Sequence, residues 1–379
     1  MYRWRFDLQW DRLVGTLCAT MGALFAPQLG SSATCIHSGD ETEINAALSG
    51  PQARAVLCPG ATFRLSHQIV LSSDGQQLYT ENSPAGGSRA HIVIAEASLS
   101  TAIFSRAPNV FIHHVVVDGA RARYGRDPKG GALIELGGDV SGIRVDHVHA
   151  FDPRGWSVLH IFQGNNNCSG ARITFNDLGP SGHPNGEWAD GISFACRDGF
   201  IQHNTITDAS DGAIVLFGAP GTLVEHNIIV TQNNVLLGGI NMVDFGAFGG
   251  DSSGTIVRDN RLEARGGFIK IGIAAGPAVW GSKSGHLNRG AAITANTFSG
   301  DNFGFGIAVD GVVDFTIEGN IATARFGGVR TKRCWSGTSA PGHAFIRNPQ
   351  SSSGTFQKDF EDGVLGYAIC IKKSADDPD

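Results

Sequence analysis

Several familiar signatures are missing from this chain, and each absence removes a class of function. Beyond its amino terminus no run approaches the roughly 18 apolar residues that a membrane-spanning helix needs. No Cys-x-x-Cys occurs among its seven cysteines, so neither a zinc ribbon nor a thioredoxin-like redox pair is supported. Charged residues make up only 17% of the sequence and the formal net charge is −6. No basic stripe with interleaved aromatics is present, which argues against nucleic acid and, more mildly, against a strongly anionic polymer as partner. Gly-rich phosphate loops are absent too. Between the apolar segments there is no stretch of helical periodicity, so tetratricopeptide and ankyrin arrays are excluded along with βαβ units.

What the chain does contain is a repeat. Asn176, Asn204, Asn227, Asn260, Asn296 and Asn320 each stand just before an apolar run, at intervals of 28, 23, 33, 36 and 24 residues. Each unit reads as a short strand, a turn, a second short strand and a Gly-rich bend, as in Gly199-Phe200-Ile201-Gln202-His203-Asn204-Thr205-Ile206 followed by Asp211-Gly212-Ala213-Ile214-Val215-Leu216-Phe217. Such a unit cannot bury its apolar face alone, so neighbours must stack into one continuous core of parallel strands. One Asn per coil at a constant place predicts a structural ladder of side-chain amides about 4.8 Å apart. His113, His114, His147, His203 and His226, in or beside the same strands, read as a structural column, and no metal site is expected from them. Glycine, with 52 residues, is about twice as frequent as usual, which suits tight coil corners.

The amino terminus carries Arg3, Arg5 and Arg12, an apolar stretch from Leu13 to Ala26 and then Ser31, Ser32 and Ala33. Residues 1–33 are read as a signal peptide, placing the mature protein outside the cell or in the secretory lumen, with no membrane association once the peptide is removed. Its removal takes Cys18 with it and leaves six cysteines, for which the expected pairs are Cys35 with Cys58, Cys168 with Cys196, and Cys334 with Cys370. Residues 34–105 are expected to form the N-terminal cap and first coils, 106–335 the coils that carry a groove, and 336–379 a C-terminal cap. Within the first of these, Asp40-Glu41-Thr42-Glu43-Ile44-Asn45-Ala46-Ala47-Leu48 has the spacing of a capping box opening a short helix.

On this repeat and this entry segment the chain resembles the right-handed parallel β-helix proteins of the pectate lyase and polygalacturonase superfamily. The resemblance implies an all-β, single-domain solenoid with an N-terminal capping helix. It says less about the reaction, because the scaffold hosts lyases, hydrolases, epimerases, adhesins and tailspikes. Trp188-Ala189-Asp190 and Ser210-Asp211 fall where polygalacturonase-type hydrolases carry Asn-x-Asp and Asp-Asp on consecutive coils. Leu237-Gly238-Gly239-Ile240 falls where their histidine motif would be, and Phe268-Ile269-Lys270 where Arg-x-Lys would be. The histidine and the arginine are thus missing, so the resemblance does not carry galacturonate cleavage with it.

Asp190 and Asp211 are nevertheless the leading candidates for chemistry. Equivalent positions on neighbouring coils stand one strand spacing apart, so the two are expected with Cα atoms about 5 Å apart. Carboxylates so close repel, and one should keep its proton, giving the acid and base of glycoside hydrolysis. Asp-Gly pairs also make ordinary turns, as Asp118-Gly119, Asp198-Gly199 and Asp310-Gly311 do, and the same pair of carboxylates could share a Ca²⁺. No other cofactor is implied.

An insertion, Gly182-His183-Pro184-Asn185-Gly186-Glu187-Trp188, leads into this strand. It supplies His183 and Glu187 as further acid or base candidates and Trp188, with Trp156, as stacking surfaces for a sugar. Asp244 and Lys270, on later coils, are candidates to reach the same cleft. The expected function is a secreted carbohydrate-active enzyme, hydrolytic rather than eliminative, with a polysaccharide as substrate. Two alternatives remain: a β-helix that cyclises or isomerises an apolar small molecule in a groove lined by Trp156, Phe217, Phe245 and Phe248, and a non-catalytic glycan-binding or adhesive protein.

Overall fold

The computed structural model describes residues 35–83, 86–183, 187–281 and 285–377. The segment read as a signal peptide lies outside the described residues, as do 184–186 of the insertion. Chain entry is the short helix Glu41–Ala47, capped as the sequence predicts: the Asp40 side chain accepts the Thr42 N–H at 2.7 Å and Glu43 reaches back to the Asp40 N–H at 2.8 Å. Three parallel sheets follow. One coil runs Phe200–Gln202, Thr205–Thr207, Gly212–Leu216, and each of its strands pairs with the corresponding strand of the next coil. Among the described residues these sheets have 12, 10 and 11 strands, and at most steps neighbours in a sheet are three strands apart in the chain, which is the topology of a right-handed parallel β-helix.

Inward-facing positions stack residue on residue. In the third sheet the register joins Ile69, Ile103, Ile134, Leu159, Ile192, Ile214, Ile240, Ile273, Ile307 and Phe345 in one column, every member buried. Each such side chain is worth about 1.5–3 kcal/mol of burial, and none could be buried by its own coil.

The turn from the first to the second sheet holds the amide ladder. Asn176 Nδ2 donates to Asn204 Oδ1 at 2.8 Å, and the pattern repeats through Asn227, Asn260, Asn296 and Asn320 to Gln357. The same acceptor oxygens take the backbone N–H of the preceding Asn, for example Asn204 N–H onto Asn227 at 3.0 Å. Just outside the ladder, His114, His147, Phe175, His203 and His226 stack with ring centroids 4.6–5.3 Å apart. All five have positive φ, which turns the chain sharply at that corner. The three expected disulfides are all formed; Cys168–Cys196 links successive coils in the core, and Cys334–Cys370 ties down the C-terminal segment.

Candidate active site

The outer face of the third sheet carries the carboxylate pair. Ser157 pairs with Asp190, and Ile192 with Ile214, so the residue opposite Asp190 on the next coil is Gly212 and not Asp211. The expected in-line stacking is therefore offset by one residue, for a local reason. The Ala189 carbonyl accepts both the Ser210 and the Asp211 N–H at 3.3 and 3.2 Å, and the Gly212 N–H is left for the Asp190 carboxylate, which takes it at 2.8 Å. A side chain has replaced a main-chain acceptor in the ladder. Glycine is needed opposite it, because a Cβ on Gly212 would lie 2.2 Å from Val215 Cγ2, 3.0 Å from Asn241 Nδ2 and 3.2 Å from Asp190 Oδ1.

The environments of the two carboxyls differ. Asp190 is buried, and its second oxygen lies 2.8 Å from Ser193 Oγ, which lies 2.8 Å from Ser157 Oγ, which lies 3.1 Å from the Leu159 carbonyl. Each hydroxyl has one hydrogen to give. Ser193 Oγ can give its one hydrogen to Asp190 or to Ser157. Burial first, and the neighbouring Asp211 charge second, push the Asp190 carboxyl well above the usual range, against the opposing bonds from Gly212 and Ser193. Asp211 is partly exposed, and burial pushes it up to about 6. Both carboxyls are thus held above the usual range, the inner one by burial and by its neighbour's charge.

Two tryptophans lie on the chain close before the pair. The Trp156 carbonyl accepts the Asp190 N–H at 2.8 Å, which puts this ring on the coil before the pair; Trp188 stands two residues ahead of Asp190 on its own coil. They are 37% and 42% exposed, unusually open for tryptophan. The insertion is closed by a backbone bond from His183 N–H to the Glu187 carbonyl at 3.1 Å. The Glu187 carboxylate is engaged by the buried Arg121 guanidinium at 2.5 Å, so in this structure it anchors the loop that carries Trp188.

The other candidates lie apart from the pair or are already engaged. Lys270 is in the same column as Asp211 with Leu237 between, roughly 10 Å along the axis at two coil spacings. Its amino group is covered by the C-terminal segment and donates to the Ile369 carbonyl at 2.6 Å, and burial brings its pKa down to about 8. Asp244 accepts the Gly246 N–H at 2.8 Å, as a corner turn does. Phe217 faces Trp156 edge-on with centroids 6.5 Å apart, whereas Phe245 stacks on His286 at 4.3 Å and Phe248 lies against Arg197.

Sequence reasoning missed Ser157, Ser193 and Asn241. The first two hydrogen-bond the Asp190 side; Asn241 folds over Gly238 beside it and accepts the Trp280 indole N–H at 3.2 Å. The register brings them together, since Ser157 pairs with Asp190 and Ser193 aligns through Val215 with Asn241. Gly250-Asp251-Ser252-Ser253-Gly254 has the spacing of a nucleophile elbow, but Ser252 is buried in a corner turn with no helix following. As a donor set the carboxylate pair suits a proton better than Ca²⁺, because Asp190 already commits both oxygens to protein hydrogen bonds. Among the described residues, the side chains that converge at metal-ligand spacing are Cys35, His37 and Cys58, two of them in a disulfide, and Glu225, His226 and Asp259, of which Glu225 is salt-bridged to Arg258.

No protein-family model matches this chain, and no curated protein sequence matches it. Solved structures do. A DFA-IIIase from Arthrobacter chlorophenolicus A6, solved in complex with GF2, is 13% identical over 88% of this chain and 97% of its own, with a TM-score of 0.50. A hyperthermoactive exopolygalacturonase from Thermotoga maritima is 14% identical over 75% and 84% of the two chains, with a TM-score of 0.47. The catalytic domain of a GH87 alpha-1,3-glucanase, in complex with tetrasaccharides, is 12% identical over 83% and 64%, with a TM-score of 0.43. Likeness at such identity is likeness of fold, and with the three all-parallel sheets it makes the chain a right-handed parallel β-helix.

Proposed function

We propose that this protein is a carbohydrate-active enzyme that hydrolyses a glycosidic bond on the outer face of the third sheet, with Asp190 and Asp211 as its acid and base. The observation that carries the reading is the asymmetric carboxylate pair, Asp190 buried and pushed well above the usual range and Asp211 partly exposed, with two exposed tryptophans nearby in the fold. Above about pH 6 the ionised Asp211 accepts the proton of an attacking water while Asp190, giving up its contact with Ser193, passes its proton to the leaving glycosidic oxygen. Water thereby adds across the broken C–O bond, and the two carboxyls exchange roles as proton holders. Trp156 and Trp188 give a sugar ring two apolar faces to stack against. Carbohydrate-active enzymes share this fold, which supports the class of substrate and not its identity.

The small-molecule alternative has less support, because the four rings expected to line one groove divide into a Trp156–Phe217 pair and the separate contacts of Phe245 and Phe248. The test is turnover of a panel of neutral and acidic glycans by the mature protein beside Asp190→Asn and Asp211→Asn. Loss of turnover by at least 100-fold in folded variants is expected. Glycan binding with no turnover in any of the three proteins would make this a binding protein and refute the acid/base reading.

A further inference from the structure

One coil before the carboxylate pair, the same face carries a second group of polar and aromatic side chains. The register aligns Phe104, Glu135, His160 and Ser193 on successive coils, and Ser193 is the residue that contacts Asp190. His160 is surrounded by rings, with Trp156 edge-on at 4.7 Å, Phe162 at 5.7 Å and Phe217 at 6.5 Å between centroids. Its Nδ1 is buried without a hydrogen bond and points at Glu135 Oε1 across 3.7 Å. That gap is too long for a hydrogen bond and short enough to close. An unsatisfied buried nitrogen beside a carboxylate is uncommon in a native core, and a ring pressed against Trp156 is a means of closing it.

Among the described residues the charges near the cluster include Glu135, the pair Asp190 and Asp211, and Arg106, whose guanidinium lies over Phe104 and Phe162; the Glu135 carboxyl is held below its usual range first by His160 and least by Arg106. Three carboxyls make this face acidic, which disfavours a sugar carboxylate.

We propose that Glu135, His160 and Trp156 form a subsite for one neutral sugar ring, which lies on Trp156 and donates a hydroxyl hydrogen bond to His160 Nε2 while Glu135 holds the opposite Nδ1–H. The inference rests on the proposed function, since it assigns the ring adjoining the bond that Asp190 and Asp211 cleave. His160 here is a specificity residue and Glu135 a positioning residue.

Two measurements test it. Nitrogen-15 spectra of the intact histidine-labelled protein are expected to show His160 as the Nδ1–H tautomer, and Glu135→Gln is expected to abolish that preference; an Nε2–H tautomer in the native protein overturns the proposal whatever the enzyme does. Tryptophan fluorescence titrations with neutral gluco-, galacto-, xylo- and fructo-oligosaccharides and with oligogalacturonate form the second. Binding of a neutral oligosaccharide is expected to weaken about tenfold in His160→Gln and Glu135→Gln and further in Trp156→Ala, with KM rising and kcat within threefold. Binding lost in these variants but unaccompanied by turnover in the native protein would uphold the subsite and sink the hydrolytic reading. Unchanged affinity in all three variants, no neutral ligand at all, or a preference for oligogalacturonate overturns the subsite.

Discussion

Asp211→Asn should make this protein more stable at neutral pH and no more stable in acid. Burial raises the Asp211 pKa from an ordinary 3.8 to about 6. Below about pH 4 the carboxyl is protonated in the folded and unfolded chains alike and contributes nothing. Between 4 and 6 the unfolded chain loses the proton and the folded chain keeps it, so stability falls as pH rises; above 6 the full penalty applies. At 1.36 kcal/mol per pH unit the rise is worth about 3 kcal/mol, which solvent at the exposed edge of the side chain lowers toward about 2. An unfolding entropy of about 0.7 kcal/mol/K for a solenoid of this length converts that to about 3–4 °C in Tm. Thermal denaturation of both proteins from pH 3.5 to 8 should give curves that coincide at the acid end and separate through pH 4–6 to a constant gap. A gap independent of pH, or a variant less stable at pH 8, would refute the burial argument and with it the proton held between the two carboxyls.

Other perturbations probe the frame around the pair. Asn227→Ala removes a partner from the Asn204 N–H, the Asn204 amide, the Ile201 carbonyl and the Asn260 carbonyl oxygen together, so it should cost about 3–5 kcal/mol in urea unfolding; a loss below 1 kcal/mol would mean that the ladder is decorative. Replacing Cys168 and Cys196 by Ala opens a link across 28 residues and should lower stability by about 3–4 kcal/mol in the same assay. Glu187→Gln leaves the buried Arg121 without its carboxylate and is expected to raise KM for a glycan substrate through Trp188, with Asp211 chemistry unchanged in a single-turnover measurement. Trp188→Ala should weaken glycan binding at least tenfold and lower Tm by no more than about 3 °C, because the residue is already 42% exposed.

The frame was legible because it is repetitive. Six asparagines at coil intervals, short Val/Ile/Phe strands and paired cysteines each announce a stacking position, and stacking in a solenoid couples a residue only to its neighbours one coil away. Phe175 escaped the histidine column because a phenylalanine there looked like one more strand residue, yet its ring completes the stack between His147 and His203. The candidate site was legible as a pair of Asp-Gly strand entries and no further. Coil lengths vary with the corner insertions, so sequence alone does not fix which residue of one coil faces which of the next. Ser157, Ser193, Asn241, Glu135 and His160 come into view only through the register. Glu187 illustrates another limit: its partner Arg121 is 66 residues away in a short helix on another corner.

The one-residue offset between Asp190 and Asp211 has a chemical meaning that an in-line stack would lack. Two carboxyls at equivalent positions of a regular ladder would see nearly the same surroundings, and the proton between them would have no preferred site. Here the Gly212 N–H draws the Asp190 side chain into the ladder, where Ser193 also donates to it, and Asp211 is left more exposed. The same hydrogen-bond substitution that breaks the register therefore gives the two carboxyls different surroundings, as the proposed proton holder and proton acceptor require. Acid and base roles need such a separation, and Gly212 makes it possible, since any side chain at that position would meet Val215 and crowd Asn241 and Asp190.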